Sequence, residues 1–416
     1  MPDKCYLRQM QSLPLIVKVR KSQIRIREWY EHFDGNVYVS FSGGKDSTVL
    51  SCLVREMYPD VPLVFSNTGL EYPEIQAFAR KMGAEFVRPK MRFDEVISKY
   101  GYPIISKEVA DAIYYARRIK NNPDEYQEQH PCCKRNDLLG KRTIQQTEIA
   151  YGQKSIVGKR EELNGERIRK GGGTDSVRRR KLAGVGEFEE NKGSIYNKQK
   201  WLPLCQETQF IISGKCCSHM KKEPIRMYQR KTKRVPFIGT LTEESLLREQ
   251  AWIKHGCNAF DSKKPTSQPL SFWTEQDVLK YLYMEDVEIA SVYGDIVGVD
   301  KQGFEYQPMP GVECRLKCSG CQRTGCIFCG FGAYLDKGES RFQRLARTHP
   351  KQYEYCMNGG QWSDNPAYDP TAPQKDGEWT NWNPKKIWTP SKEGLGMRKV
   401  FEDCNQLYGK DFIRYE

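Results

Sequence analysis

Five residues suited to a buried strand, Val37-Tyr38-Val39-Ser40-Phe41, run directly into Ser42-Gly43-Gly44-Lys45-Asp46-Ser47, and a helical stretch from Thr48 to Met57 follows until Pro59 stops it. β-Branched and aromatic residues favour the strand, and the glycine pair punctuates it. Glycines at a strand-to-helix junction let the backbone turn tightly enough for several N–H groups to converge. The N-terminus of the helix adds partial positive charge at the same place. Anions bind such junctions. Lys45 contributes a point charge, and the hydroxyls of Ser42 and Ser47 can donate to phosphate oxygens. Asp46 would repel a bare phosphate, so it suits a bound Mg2+ or a brace for the loop. The competing reading is a glycine turn that merely caps a helix; six residues of this kind directly after a strand favour nucleotide binding. The string is not a Walker A loop, because no glycine stands five residues before Gly44.

The alternation of element types continues. Val61 to Phe65 reads as a second strand leading into Asn67-Thr68-Gly69, a helix begins near Pro73 and closes at Gly83, and Glu85-Phe86-Val87 is a third short strand. Val235-Pro236-Phe237-Ile238 resumes the sheet, turns at Gly239-Thr240 and gives way to a helix through Glu244 and Arg248. The expected fold class is α/β, a parallel twisted sheet with helices on both faces. Residues 16–33 read as an amphipathic helix ahead of this core, and residues 104–145 as mainly helical, interrupted by His130-Pro131-Cys132-Cys133. In 154–192, Lys and Arg outnumber Asp and Glu around Gly171-Gly172-Gly173 and Arg178-Arg179-Arg180-Lys181, which predicts a loop-like basic insertion. The segment between Trp362 and Trp388 reads as a looping tail, with a last helix near Met397 to Tyr408. The expected organisation is a helical segment over 1–35, a nucleotide-binding domain over 36–305 with its insertion at about 154–200, a cysteine-rich segment over 306–335, and a tail over 336–416.

A chain of 416 residues with 38% hydrophobic and 12% aromatic content can bury a sizeable core. Its net charge of +13 suits a polyanionic partner such as DNA or RNA, or simply anionic nucleotides. Arg178, Arg179, Arg180 and Lys181 are the candidate nucleic-acid contacts, against the plainer reading of a solvated charged loop. No apolar run approaches the roughly 18 residues that cross a bilayer, and Met1 to Met10 lacks a signal-peptide core. The expectation is a cytoplasmic protein with no membrane partner. In that compartment fifteen cysteines point to metal or redox work rather than disulfides. Cys314, Cys318, Cys321, Cys326 and Cys329 are separated by three, two, four and two residues, and Cys216-Cys217 form an adjacent pair upstream. Such spacings suit an iron–sulfur cluster or a zinc site built on Cys314, Cys318, Cys321 and one of the last two. His130, Cys132, Cys133 and Cys257 are possible replacements, each read more simply as buried or structural.

The string from Ser42 to Ser47 resembles the signature of the adenine-nucleotide α-hydrolase, or ATP-pyrophosphatase, superfamily. Asn67-Thr68-Gly69 with Glu71 is similar to the second nucleotide segment of its phosphoadenosine phosphosulfate (PAPS) reductase branch. The resemblance extends through Cys216-Cys217 with Lys221 and Pro224, Gly239-Thr240 to Glu244-Ser245 and Arg248, and Gly325-Cys326-Ile327-Phe328-Cys329. It implies a nucleotide site on Ser42, Gly43, Gly44, Lys45, Asp46, Ser47, Asn67, Thr68 and Gly69, with Lys45, Asp46 and Arg248 in catalytic roles. It also implies a [4Fe-4S] cluster on Cys216, Cys217, Cys326 and Cys329, with zinc as the alternative. Arg248 reads equally as a surface residue paired with Glu244 four positions earlier.

Within this superfamily the ATP-using members let a substrate oxygen attack the α-phosphate and release pyrophosphate, after which a nitrogen or sulfur nucleophile takes the activated carbon or phosphorus. The sulfonucleotide reductases use a C-terminal cysteine in a Glu-Cys-Gly-x-His motif, which this sequence lacks. Cys404 stands instead in Glu402-Asp403-Cys404-Asn405, where acidic neighbours discourage a thiolate. The expectation is an adenylating sulfurtransferase that uses ATP with Mg2+ and a sulfur-donor protein, similar to enzymes that modify nucleic acid. A reductase acting on PAPS or adenosine phosphosulfate (APS), or a non-catalytic nucleotide-sensing regulator that binds nucleic acid, is the alternative.

Overall fold

The computed structural model describes residues 3–121, 160–163, 166–169, 178, 181–184, 187–309, 314–371 and 382–416. The chain divides into two compact units, the first formed by Met1–Met91 and His219–Ile327, the second by Arg92–Ser218 and Phe328–Glu416.

The first unit opens with two helices, α1 (Lys4–Gln11) and α2 (Leu15–His32). Strand β1 (Val37–Phe41) follows, then α3 (Lys45–Met57), β2 (Leu63–Ser66), α4 (Pro73–Lys81) and β3 (Glu85–Val87). β1 lies at the centre of a six-stranded sheet between β2 and the strand Val235–Ile238, and β3 lies beyond β2. These pairings are parallel, with Val39 opposite Leu63, Val37 opposite Val235 and Val64 opposite Glu85. Thr266–Ser267 extends the parallel set, and Asn258–Ala259 closes the edge as its one antiparallel member. Helices flank this mostly parallel sheet, as the alternation of elements in the sequence predicts. α3 packs on β1 and on its neighbouring helices, and its Val49, Leu50, Leu53 and Val54 are all fully buried. Each contributes roughly 1.5–3 kcal/mol of apolar burial. Tyr38 and Val64 pack with Tyr228 of the helix Glu223–Thr232. A small antiparallel sheet orders Glu305–Tyr306, Ile296–Val299 and Arg315–Cys318.

The second unit carries the helices Phe93–Tyr100 and Lys107–Asn121, and Ile104–Ile105 pairs in parallel with Gly330–Phe331. Within the basic insertion, Arg160–Leu163 and Glu166–Arg169 form an antiparallel hairpin where the sequence reads as loop. The tail is likewise more ordered than its Trp and Pro content suggests. It holds the helices Arg341–Thr348 and Pro350–Met357, and a hairpin pairing Trp362 with Trp388, before the predicted last helix, Met397–Tyr408. The aromatic residues that read as irregular are the packing residues of that hairpin, their rings 5.5 Å apart. Among the described residues, no helix is long and apolar enough to cross a membrane.

Candidate functional site

The turn from β1 into α3 is built by its own side chains. Gly43 adopts a φ of 70°, and a Cβ there would stand 2.8 Å from the Ile75 side chain, so both backbone and space demand glycine. Ser47 Oγ accepts from the Ser42 backbone N–H at 3.2 Å, lies 3.0 Å from Ser42 Oγ and donates to the Gly44 carbonyl at 2.9 Å. Helix α3 begins at Lys45, three residues ahead of its predicted start, with Gly44 as its cap. Its first turn therefore opens on the loop, where the N–H groups and positive end of a helix attract negative charge.

The loop borders a cavity of about 880 Å3 that lies wholly in the first unit. Lys45 is buried at 6% exposure and donates to the Glu275 carboxylate at 3.1 Å, with its ammonium 5.8 Å from the centre of the Tyr293 ring. Tyr293 is buried, and its hydroxyl lies 2.5 Å from Thr324 Oγ1. Burial pushes the Tyr293 phenol well above its ordinary value, so it serves as a neutral hydrogen-bonding group. Burial also raises the Asp46 carboxyl, against the opposing pull of Lys45, Arg323 and Arg248. Glu243 is raised by burial as well, although its carboxylate accepts the Glu275 backbone N–H.

Arg248 forms the ion pair with Glu244 that its i, i+4 spacing suggests, and Glu244 also binds Arg323. The expected continuous helix is interrupted there: Thr242–Glu244 is a 3-10 turn, and the α-helix Leu246–His255 starts afresh with Ser245 as its cap. Ser245 Oγ accepts the Arg248 N–H at 3.3 Å, a local contact that ends the first turn. Arg248 thus stands behind the cavity wall that Glu244 and Arg323 line.

The turn after β2 is self-contained. Thr68 Oγ1 donates to Glu71 at 2.7 Å, the Thr68 N–H donates to the same carboxylate at 3.1 Å, and the Gly69 N–H donates to Asn67 Oδ1. Ser66 and Glu71, the residues bracketing Asn67, Thr68 and Gly69, line the cavity in their stead. Lys221 and Lys222 contribute from the π-helical turn Ser218–Lys222 that leads into the helix Glu223–Thr232, and Gln322 to Gly325 from the cysteine-rich segment. That segment is tied to the site by the Gly320 N–H on the Tyr293 carbonyl at 2.8 Å and the Ile327 N–H on the Leu70 carbonyl at 2.7 Å. Glu275, Tyr293, Lys222 and Arg323 escaped sequence reasoning, since none sits in a motif beside the loop.

Cys318 and Cys321 are buried in the first unit, and burial raises the Cys318 thiol. Cys326 belongs to the first unit, and Cys216, Cys217 and Cys329 to the second. The sulfurs of Cys216 and Cys217 lie 3.9 Å apart. Among the described residues, no group of three or more His, Cys, Asp or Glu side chains is arranged to hold a metal ion. Cys257 is buried, with the Ser271 hydroxyl 3.3 Å from its sulfur, while His130, Cys132 and Cys133 lie outside the described residues.

Of the basic run, Arg179 and Arg180 lie outside the described residues. Arg178 stacks over Tyr115 at 4.4 Å, and Lys181 pairs with Glu108 at 3.3 Å.

Comparison with known proteins matches residues 36–160 and 185–330 to a family described as the phosphoadenosine phosphosulfate reductase domain. The adenosine 5'-phosphosulfate reductase of Staphylococcus haemolyticus is 29% identical over 108 residues, 24% of this chain and 44% of that protein. Subunit 2 of the sulfate adenylyltransferase of Shewanella loihica is 23% identical over 316 residues, 71% of this chain and 77% of that one. The crystal structure of the PAPS reductase of Candida auris in its phosphate complex shares 12% identity, with a TM-score of 0.31, covering 70% of this chain and 91% of that one. Against two uncharacterized proteins of Methanocaldococcus jannaschii, the match spans 22% and 24% of their length.

Proposed function

The chain belongs to the phosphoadenosine phosphosulfate reductase domain family, and on that footing we propose that it binds ATP at the Ser42–Ser47 loop and activates an acceptor by adenylation for sulfur transfer, with nucleic acid as the acceptor class. The observation that carries the reading is the loop itself. A helix N-terminus, the Ser42 hydroxyl and the buried Lys45 converge on one wall of the 880 Å3 cavity, with the buried Ser47 hydroxyl bracing Ser42 from behind, room enough for a nucleotide and part of an acceptor.

In the proposed reaction an acceptor oxygen attacks the α-phosphorus of ATP. The bond from that phosphorus to the bridging oxygen breaks, and pyrophosphate leaves with its Mg2+. Lys45 and the loop N–H groups meet the negative charge that grows on the leaving phosphates. A sulfur nucleophile from the donor then displaces AMP, which departs with the former acceptor oxygen. Asp46 braces the loop and would hold the Mg2+ that accompanies the nucleotide.

Cys404 supports ATP over a sulfonucleotide. The reductase reading needs a mobile C-terminal cysteine, whereas Cys404 is fully buried in the helix Met397–Tyr408 and burial pushes its thiol far up. The Shewanella relative, by its name an adenylyltransferase acting on sulfate, points the same way. The cluster on Cys216, Cys217, Cys326 and Cys329 belongs to the proposal on the resemblance of these positions to the reductase branch, and takes part in no chemical step above. Iron and acid-labile sulfide in anaerobically purified protein support it, and zinc without iron overturns it.

The test is a panel of ATP, APS and PAPS, scored for binding and product, with DNA and RNA as acceptors. Binding of DNA or RNA at low salt that weakens when Arg178, Arg179, Arg180 and Lys181 become alanine supports the nucleic-acid assignment; no binding, or no change, overturns it.

A further inference from the structure

The family match begins at residue 36, yet the helices ahead of it reach the cavity wall. Lys18 of α2 is buried at 2% exposure and donates from Nζ to the Gln11 carbonyl and to Asp277 Oδ2, each at 2.6 Å. That same Asp277 oxygen accepts the Thr274 backbone N–H and hydroxyl, each at 2.7 Å, completing the capping box that starts the helix Glu275–Met284. The first residue of this helix is Glu275, the partner of Lys45. One turn along α2, Ser22 is fully buried, accepts from Trp273 Nε1 at 3.0 Å and donates to the Pro269 carbonyl at 2.9 Å. Gln11 then reaches the other wall, donating from Nε2 to Thr242 Oγ1 at 3.3 Å in the turn that bears Glu243 and Glu244.

We propose that residues 1–35 form a positioning element for the phosphate loop, with Lys18 its positioning residue, acting through Asp277 and Glu275 on Lys45. The inference rests on the nucleotide reading of that loop. Burying an ammonium costs several kcal/mol, and its ion pair offsets that cost with little net gain. An apolar side chain would hold α2 in place at least as well. What the pair adds is geometry: it fixes the cap of the helix, and the cap fixes where the Glu275 carboxylate meets Lys45. Lys45 Nζ is then held at the cavity before a phosphate arrives, so less ordering remains for the nucleotide to bring about.

Because this device acts on the ammonium that meets phosphate, its loss shows in the phosphates and not in the nucleoside. Titration calorimetry with ATP and with adenosine separates the two. Lys18→Met is expected to weaken ATP binding by about tenfold while adenosine changes by less than about twofold, and Lys18→Arg to recover most of the loss. Glu275→Gln is expected to lose a similar factor, and the double variant Lys18→Met/Glu275→Gln to be no weaker than the weaker single, the non-additivity of residues acting in series. Equal losses for ATP and adenosine, or additive losses in the double variant, overturn the inference and leave Lys18 a structural residue. Should Lys18→Met fail to fold, Asp277→Asn removes the charge from the same ion pair and must show the same ATP-specific loss; a loss shared by adenosine, or none, overturns the proposal. Failure of the wild-type chain to bind ATP overturns the proposed function and this inference together, whereas ATP binding with additive variants overturns this inference alone.

Discussion

Gly239, at the end of the strand Val235–Ile238, lies against the backbone of Asp46, so closely that a Cβ built on it would stand 2.9 Å from the Asp46 carbonyl oxygen. The neighbouring atoms are backbone, which cannot rotate aside. The central strand pair thus grips the phosphate loop from behind.

Gly239→Ala should push the first turn of α3 away from the sheet. Overpacking of this kind costs roughly 1–3 kcal/mol, less than the roughly 5–15 kcal/mol that holds a domain folded, but it misplaces every N–H group in the loop. The expected outcome is a folded protein by circular dichroism whose ATP affinity falls at least about tenfold, since displaced donors lose charge-assisted hydrogen bonds.

The raised carboxyl of Asp46 makes a statement about pH. Its native state holds the proton more tightly than the unfolded chain does, so its contribution to stability is complete below the ordinary aspartate range and is lost as pH rises through the elevated native value. At neutral pH the ionised, half-buried carboxylate is a cost to stability. Asp46→Asn should therefore melt no lower than wild type at pH 7, gain less or lose at acid pH, and release no pyrophosphate. A variant that is destabilised at pH 7 contradicts this account of the residue.

In the second unit, Arg117 is buried with carbonyls as its partners. Its guanidinium donates to the Cys205, Phe210 and Leu204 carbonyls at 2.9, 2.7 and 2.9 Å and to Thr208 Oγ1 at 2.8 Å, under the face of Trp382 at 4.1 Å. These oxygens end the helix Leu202–Glu207. Burial holds its pKa down to about 10, still protonated at neutral pH. Arg117→Met strands those carbonyls and should cost roughly 3 kcal/mol or more in urea denaturation. Arg117→Lys should recover only part, because one ammonium cannot match the planar fork.

Cys404 discriminates between the two enzymatic readings. As a buried thiol with no route to a nucleophilic role, it should resist alkylation in the native protein, and Cys404→Ala should leave pyrophosphate release within about twofold of wild type while costing some stability through the small cavity. Loss of turnover in a variant that folds normally would restore the reductase reading.

The parts of this protein that were legible in its sequence are those whose causes are local. Val37 to Phe41 declare a strand by their side chains, the Gly43-Gly44 pair declares the turn, and Pro73 marks the start of α4, so the phosphate loop and its sheet follow from a few consecutive residues. The start of α3 was placed late because Lys45 and Asp46 look like loop residues, although acidic residues suit a first turn. Helix α1 lies within the helical segment expected over 1–35, but the apolar periodicity over 16–33 does not reveal it as a separate helix, which Asp3 caps by accepting the Tyr6 N–H at 2.7 Å. The rest of the site was hidden for a different reason. Glu275, Tyr293 and Arg323 meet the loop only because the chain folds back from more than 200 residues away, and each is an ordinary residue where it stands. The Trp362–Trp388 hairpin joins strands separated by more than 20 residues, so alternation within either strand is too short to reveal the pairing.

The central claim, that the Ser42–Ser47 loop serves ATP-dependent adenylation, is tested most directly by measuring pyrophosphate released from ATP in the presence of DNA or RNA. The account predicts acceptor-dependent release that is abolished by Asp46→Ala and reduced by at least about a hundredfold in Lys45→Ala, as expected for loss of a transition-state charge partner. Sulfite released from APS or PAPS, or ATP bound without any turnover, would contradict it.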